Sequence, residues 1–305
     1  MSYPVFDLHC DLLAYLSVDQ KARSPLDDAS NCSLPLLKQG GVFFQTLALF
    51  TETNPSSRIE FQKQLECFKS LEGEKQPQFV LAIENASGLL TETEPFELMV
   101  ERLSEKKWVY ISLTWKEENR FGGGNNTQVG LKEDGEKLLE LLSGKKIAID
   151  LSHASDPLAE DILNVIDKKS LDVTPIASHS NFRTIHDELR NLPDDFAKEI
   201  IKLGGVIGIN FVRHFVGDDP RCFVDHIQKG LELGAEDSLV LGSDFFGGLP
   251  ALENDPLEPY FFKEYSNSSC FPKFQMLIEE VVGSKVTEKL FHQNCKSFLS
   301  KIQMM

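Results

Sequence analysis

Long apolar runs are absent from this sequence, and none reaches the roughly 20 residues that a membrane-spanning helix needs. The first residues also lack the basic start and apolar stretch of a secretory signal peptide. Basic residues are outnumbered, because 31 lysines and arginines stand against 47 aspartates and glutamates, a formal net charge of -16. No basic cluster stands out against this acidic field, which argues against nucleic acid as a partner. We therefore expect neither a membrane nor a nucleic acid among the partners.

Two further kinds of site are missing. The six cysteines show no paired spacing of a disulfide framework, so we expect reduced thiols in a cytoplasmic protein. The glycine triplet at Gly122–Gly124 lacks the strand-to-helix spacing and the lysine of a phosphate-binding loop. We expect this triplet to form a flexible loop at the rim of the fold.

What the sequence does contain is a regular alternation of apolar strands and amphipathic helices. Eight short apolar runs begin near residues 5, 42, 79, 108, 147, 175, 206 and 239. Helical patterns separate them, and two more helices are predicted from about residue 272 to residue 302. We see no linker and no second core. This order predicts an α/β fold, a single (β/α)8 TIM-type barrel with extra C-terminal helices, as one domain over residues 1–305.

The clearest unit of this barrel is the strand–helix–strand segment 147–190. Its two strands, Ile147–Leu151 and 175–177, each lead into a Ser-His pair, which supplies His153 and His179. Parallel strands joined by a crossover helix end at the same rim of a sheet. We therefore expect the two imidazoles to lie roughly 5–10 Å apart, close enough to bind one metal ion.

Three more strands end in side chains that bind metals or transfer protons. His9 and Asp11 end the first strand and point to the same side, because residues two apart in a strand share a face. Glu84 ends the third strand, and Asp244 follows the eighth. Barrel enzymes place their chemistry at this rim. The other histidines are expected to be surface or structural residues, with two of them on rim loops: His186, His214, His226 and His292.

Together, these residues suffice for two metal ions that share one ligand. The predicted ligands are His9, Asp11, Glu84, His153 and His179. Glu84 lies between the two groups in the sequence and is the natural bridging carboxylate. Mixed imidazole and carboxylate ligands suit zinc, with manganese, cobalt or iron as alternatives. The predicted reaction is metal-assisted hydrolysis, in which Asp244 takes the proton of the attacking water and delivers it to the leaving nitrogen.

The motifs and their order resemble those of the membrane (renal) dipeptidase family of metallopeptidases, among the amidohydrolase-like barrels. The segments that carry the resemblance are F-D-L-H-C-D (6–11), A-I-E (82–84), I-S-L-T-W (111–115), I-D-L-S-H-A-S (149–155), S-H-S (178–180), R-N-L-P-D-D (190–195), G-V-I-G-I-N-F (205–211) and L-G-S-D-F (241–245). The resemblance implies two zinc ions per chain, with Glu84 shared by the pair His9 and Asp11 and the pair His153 and His179. It also implies that Arg190 binds the carboxylate of a small dipeptide substrate, a role that suits a guanidinium.

Three departures from the family are visible. Trp115 stands where animal members carry a histidine that contacts the scissile carbonyl, as we would expect in a bacterial-type branch. The carbonyl contact then falls to a neighbour such as Asn119, so we expect Trp115 and Asn119 to border the substrate. The pair Asn85-Ala86 replaces a glycine pair after Glu84. We expect no counterpart of the signal peptide and lipid-anchor tail of the animal enzymes.

Three functional hypotheses follow. The first is a zinc-dependent dipeptidase. The second is a metal-dependent hydrolase of another small amide, such as an N-acyl amino acid or a β-lactam, which Arg190 alone does not separate from the first. The third is a catalytically inactive barrel that serves as a binding module, against which the complete ligand set argues. We expect the aromatic segment Phe245–Phe271 to close over the first residue of the substrate, and we leave a homodimer open.

Overall fold

Eight parallel strands form the centre of the fold. The computed structural model describes residues 3–18, 22–250, 255 and 257–305. The strands are β1 (Val5–Cys10), β2 (Val42–Phe50), β3 (Gln78–Glu84), β4 (Trp108–Ser112), β5 (Ala148–Asp150), β6 (Pro175–Ile176), β7 (Ile207–Ile209) and β8 (Leu239–Leu241). They form one sheet in the order β6-β5-β4-β3-β2-β1-β8-β7. A parallel bridge between Ala177 and Ile207 joins the two edge strands, so the ring is the predicted TIM-type barrel.

Helices follow the strands around the outside. They are α1 (Leu12–Val18), α2 (Leu34–Gln39), α3 (Ser57–Phe68), α4 (Leu98–Leu103), α5 (Glu133–Leu142), α6 (Asp156–Lys168), α7 (Asp194–Lys202), α8 (Arg213–Val216), α9 (Cys222–Glu232), α10 (Phe271–Val282), α11 (Ser284–Glu288) and α12 (Asn294–Lys301), with a π-helical turn at Lys289–Gln293. Among the described residues, no helix has both the length and the apolar character needed to cross a bilayer.

Local sequence explains why α6 begins where it does. The hydroxyl of Ser155 accepts a hydrogen bond from the amide of Leu158 at 3.1 Å, and Pro157 occupies the first turn. The helix buries Leu158, Ile162 and Ile166 on one face. This crossover connects β5 to β6 and brings their C-terminal ends, with their histidines, to one rim.

The last helix, α12, covers the opposite end of the barrel. A buried apolar cluster joins the strands to α12, and it includes Phe6, Phe44, Val206, Val240, Phe298, Leu299 and Ile302. The side-chain amide of Asn294 donates hydrogen bonds to the backbone carbonyls of Glu236 and Leu239, at 2.9 and 2.8 Å, where β8 begins. Helix α12 therefore covers the end that carries no predicted site residue.

Two glycines make room for the segment that carries His179. A Cβ atom at Gly208 or at Gly242 would lie 1.9 Å from the carbonyl oxygen of Ser178. No side chain fits at that distance, so β7 and β8 can approach this backbone only with glycine at both positions.

The glycine triplet is closely packed, and the prediction of a flexible loop is wrong. Gly123 accepts a hydrogen bond from the amide of Ser155, and Gly124 forms a bridge with Ala154. A Cβ atom at Gly124 would lie 2.1 Å from the carbonyl oxygen of Trp115. The triplet thus allows the loop after β4 to pack on the loop after β5.

The aromatic segment after β8 needs a second correction. Phe262 and Tyr265 are buried and pack edge-on against Phe223 of α9, with ring centroids 6.2 and 5.6 Å apart. Phe261 packs on Phe245 at 5.2 Å. These rings anchor the segment to the core, so they do not form the expected cover over a substrate. Residues 251–254 and 256 of this segment lie outside the described residues.

Candidate metal centre and active site

The five predicted ligands converge at the C-terminal rim of the barrel. Glu84 is the last residue of β3, His9 lies in β1, and Asp11 follows that strand directly. His153 lies three residues after the end of β5, and His179 lies three residues after the end of β6. All five side chains are buried. Their ligand atoms form two groups, one of His9, Asp11 and Glu84 and one of Glu84, His153 and His179, and within each group the atoms lie within 4.8 Å of one another.

The carboxyl group of Glu84 faces both groups. Its Oε2 atom lies 3.5 Å from His9 Nε2. Its Oε1 atom lies 2.8 Å from His153 Nε2 and 3.7 Å from His179 Nε2. One oxygen is thus directed to each group, which is the geometry of a bridging carboxylate.

The His9 ring is oriented by Tyr110 of β4. Its Nδ1 atom lies 2.6 Å from the Tyr110 hydroxyl, which itself donates to the carbonyl of Leu8 at 3.3 Å. The imidazole N–H therefore donates to Tyr110, and Nε2 faces the carboxyls. Burial favours the neutral ring, but Tyr110 and Glu84 outweigh it and raise the pKa of His9 above its usual value. A cation at Nε2 would take the place of that proton.

Burial and charge set the ionisation of the other groups. Burial opposes the charge on Glu84, but His9 and the neighbouring imidazoles lower the pKa of this carboxyl well below its usual range. Burial, with the charge of Arg190, lowers the pKa of His153 to about 4. Burial also lowers the pKa of His179 well below its usual value. Both rings are therefore neutral near pH 7 and can offer a lone pair to a metal.

The donor set fits a metal centre. Buried polar atoms without a hydrogen-bond partner include His9 Nε2, Asp11 Oδ1 and Glu84 Oε2. Such atoms are costly unless a ligand satisfies them. The buried carboxyls of Asp11, Glu84 and Asp244 also concentrate negative charge at one place. Imidazole nitrogens combined with carboxylate oxygens are ligands that zinc and related divalent metals prefer.

Asp244 reaches the same cluster from β8 through an uncommon backbone conformation. Its φ angle is 59°, in the left-handed region, and its amide donates to the carbonyl of His9 at 3.1 Å. Its Oδ1 atom lies 3.5 Å from His9 Nε2. Its Oδ2 atom accepts a hydrogen bond from the side-chain amide of Asn210 at 2.8 Å. Burial raises the pKa of Asp244 to about 7. A carboxyl with such a pKa can both accept and donate a proton near neutrality.

Arg190 extends its guanidinium into the site. Its two terminal nitrogens donate to the hydroxyl of Ser180 at 2.9 Å and to the carbonyl of His179 at 3.1 Å. One of them lies 3.3 Å from His153 Nε2. The Nε atom is buried and has no hydrogen-bond partner. Arg190 therefore has a donor to offer beside the predicted ligands.

The two residues predicted to border the substrate differ in their surroundings. Trp115 is half-buried, and its ring lies 6.2 Å from that of His153. The amide nitrogen of Asn119 donates to Asn85 Oδ1, at 3.0 Å, and to the carbonyl of Leu113, at 2.8 Å. Asn85 has a φ of 78° and turns the chain directly after Glu84. Asn119 thus supports the turn behind Glu84, while its contact with substrate stays a prediction.

Sequence reasoning missed the residues that orient the predicted ligands. They are Tyr110, Asp150, Ser178 and Asn210. Each is a polar side chain in, or next to, a short strand that is otherwise apolar. That contrast was the available signal, because a buried polar group at such a position needs a partner. The remaining histidines lie apart from the cluster: His226 is buried between Phe182 and Val216, and His292 packs on Phe6.

Known proteins share both the sequence pattern and the fold. A sequence model of the family described as membrane dipeptidase (peptidase family M19) matches residues 1–302. An uncharacterized protein in the pqqA 5′ region of Klebsiella pneumoniae is 31% identical over 167 residues, 46% of this chain and 60% of that protein. An uncharacterized protein in the PQQ-III 3′ region of Acinetobacter calcoaceticus is 26% identical over 178 residues, 56% of this chain and 54% of that protein. The chain thus spans little more than half the length of these relatives.

Solved structures share the fold over nearly the whole chain, and one of them was determined with a ligand. It is a metallo peptidase from Rhodobacter sphaeroides, liganded with a phosphinate mimic of the dipeptide L-Ala-D-Ala. The TM-score is 0.83 at 18% identity, and the match covers 99% of this chain and 100% of that one. At this identity the likeness shows that the two chains share a fold.

Proposed function

Because the chain belongs to the membrane dipeptidase family, we propose that it is a zinc-dependent dipeptidase that hydrolyses the peptide bond of free dipeptides. In this proposal residues 1–305 act as a single metal-dependent hydrolase barrel domain with two zinc ions. The observation that carries it is the position of Glu84, whose two oxygens face two groups of buried ligand atoms. A cytoplasmic location stays a prediction from the sequence.

These distances support the proposed ligand roles. His9 and Asp11 would hold one ion, His153 and His179 the other, and Glu84 both. When bound, a metal pair lowers the pKa of a water molecule and polarises the scissile carbonyl. Tyr110 keeps the His9 ring turned so that Nε2 faces the centre.

Asp244 is the proposed proton carrier. Its Oδ1 atom lies on the cluster side, while Asn210 holds its Oδ2 atom. A carboxyl in this position can take a proton from the attacking water and return it to the leaving nitrogen. One carboxyl can serve both transfers because water attacks the same carbonyl carbon from which the nitrogen leaves.

Arg190 is the proposed anchor for the substrate's carboxylate. Its guanidinium lies 3.3 Å from His153 Nε2 and is buried at the rim. The short distance between this anchor and the predicted ligands suits one residue beyond the cleaved bond. Trp115, beside His153, borders the same space. Anchoring the scissile carbonyl at the metal ligands and the terminal carboxylate at Arg190 favours a free dipeptide over a longer peptide.

A hydrolysis screen tests the proposal. Purified protein, freed of metal and reloaded with zinc, manganese or cobalt, is offered L,L- and L,D-dipeptides, tetrapeptides, N-acyl amino acids and a β-lactam. We expect hydrolysis of free dipeptides that depends on added metal. Faster cleavage of the acylated or β-lactam substrates would favour the broader amide hydrolase. Two bound metal equivalents without any hydrolysis would indicate the inactive binding module.

A further inference from the structure

Asp150, the last residue of β5, is a buried carboxylate at the centre of a serine cluster. Its Oδ1 atom accepts from the backbone amides of Ser152 and Ser178, at 3.1 and 2.8 Å, and from the Ser152 hydroxyl at 2.8 Å. Its Oδ2 atom accepts from the hydroxyls of Ser112 and Ser178, at 2.9 and 2.7 Å. The carboxylate therefore joins the ends of β4, β5 and β6 through N–H and O–H donors.

One of these serines also touches a predicted metal ligand. The Ser178 hydroxyl lies 2.6 Å from His179 Nδ1. A hydroxyl has a single proton, and here the carboxylate of Asp150 accepts it. The oxygen of Ser178 must then accept a hydrogen bond from the imidazole, so Nδ1 carries the hydrogen. The Nε2 atom keeps its lone pair and lies 3.0 Å from His153 Nε2 and 3.7 Å from Glu84 Oε1.

We propose that Asp150 and Ser178 form a positioning relay that fixes the tautomer of His179 and thereby keeps Nε2 available for a metal. The inference deepens the proposed function, because it rests on metal binding at this site. Neither residue touches the substrate, so both are positioning residues. Carboxylates that orient metal-binding histidines in this way tune ligand basicity and ring orientation.

The other two histidines show that the relay is particular to His179. His9 donates to Tyr110 instead, and the Nδ1 atom of His153 is buried without a hydrogen-bond partner. A loss of the relay should therefore affect the ligand group of His179 and spare the group of His9 and Asp11.

An Asp150→Asn substitution would reverse the relay for a geometric reason. The backbone N–H groups of Ser152 and Ser178 point at Oδ1, and a backbone N–H can only donate a hydrogen bond. The side-chain oxygen of the new asparagine must therefore take the position of Oδ1. The NH2 group then faces the Ser178 hydroxyl. That hydroxyl would accept from Asn and donate to His179 Nδ1, which moves the imidazole hydrogen to Nε2.

The test compares Asp150→Asn, Ser178→Ala and the control Ser112→Ala. Ser112 also donates to Asp150 Oδ2, but its hydroxyl forms no hydrogen bond with a histidine of the described structure. In metal-free protein labelled with 15N-histidine, we expect Nδ1 of His179 to be protonated in the wild type and in Ser112→Ala. Asp150→Asn should show protonated Nε2 instead. Zinc titrations should show one of two sites weakened about 10–100-fold in Asp150→Asn and Ser178→Ala.

Two outcomes would overturn the relay: protonated Nε2 in the wild type, or zinc binding in Ser178→Ala as tight as in Ser112→Ala. If Asp150→Asn fails to fold, Ser178→Ala decides, because it leaves the other donors to Asp150 in place. The nitrogen spectra need neither metal nor substrate. If they agree with the relay while no dipeptide is hydrolysed, the proposed function fails and the relay stands.

Discussion

The imidazole rings of His9 and His179 stack with their centroids 3.7 Å apart and their planes inclined by 28°. The two residues come from β1 and from the loop after β6, which lie on different parts of the barrel wall. Their contact brings the two ligand groups close enough for one carboxylate, that of Glu84, to reach both. The stacking therefore makes a shared ligand geometrically feasible.

The first prediction concerns this shared carboxylate. Glu84→Gln replaces one ligand oxygen by an NH2 group, which cannot bind a cation. We expect the variant to lose at least one of two metal equivalents, measured by elemental analysis of purified protein. Glu101→Gln, at an exposed position of α4, is the matched control. Two full equivalents of zinc in Glu84→Gln would remove the bridging role.

The second prediction separates proton transfer from metal binding at Asp244. Asp244→Asn can keep the hydrogen bond from Asn210, because its amide oxygen can accept in the same place. We expect unchanged metal content and a turnover number lower by about 10²-fold, the usual scale for a lost general acid or base. Turnover close to wild type would refute the assignment. Loss of a metal would instead make Asp244 a ligand, since it also groups with His9 and His179.

The third prediction concerns substrate anchoring. Arg190→Ala removes a charge-assisted contact worth about 1.5–3 kcal/mol, which lowers kcat/KM for dipeptides by roughly 10–150-fold. The variant should also discriminate less against dipeptides with an amidated C-terminus. Arg221→Ala, which removes an exposed arginine paired with Asp219, is the control. If the wild type cleaves amidated dipeptides as well as free ones, the anchor model is wrong.

The fourth prediction concerns stability and His226. Its ring nitrogens contact the amide of Phe182 at 3.1 Å and the carbonyl of Val216 at 2.9 Å. Burial lowers the pKa of His226 from 6.5 to about 4, so the folded state favours the neutral ring. Its contribution is complete above pH 6.5 and is lost as the pH falls towards 4, by roughly 3 kcal/mol over that window.

Urea unfolding at several pH values measures this contribution. His226→Gln does not titrate, so its stability deficit relative to the wild type should shrink between pH 7 and pH 5. His214→Gln, at an exposed rim histidine, serves as the control. A deficit that stays constant with pH would show that His226 contributes by packing alone.

The sequence predicts the barrel and the convergence of the ligands because both follow from short-range rules. Strand ends of parallel barrels share a rim, and His9, Glu84 and His179 sit at such ends. The partners of these residues depend on register between strands, which one sequence does not specify. Ser112 meets Asp150 only because β4 and β5 pair in that register. Tyr110 looks like an ordinary strand aromatic until its hydroxyl is seen beside His9.

The positions of loop side chains were also difficult to predict from the sequence. The aromatic residues after β8 suggested a cover, but Phe262 and Tyr265 contribute more by burial against Phe223 than they would by facing solvent above a site. Asn119 looked available for substrate, yet its amide is used by the turn at Asn85. Composition indicated neither outcome, because both depend on the path of the chain between strands.

The short strand β6, joined to β7 through a single bridge at Ala177 and Ile207, makes a seam in the barrel directly below His179. Backbone hydrogen bonds cross this seam from Ala177 to Val206, from Gly208 to Ala177 and from Ser180 to Gly208, and they break when the seam opens. Cations held jointly by residues of β1, β3, β5 and β6 would tie the wall together across the mouth. Hydrogen exchange at the amides of Ala177 and Gly208 would then slow on metal loading, so the catalytic centre would also act as a mechanical brace for the barrel.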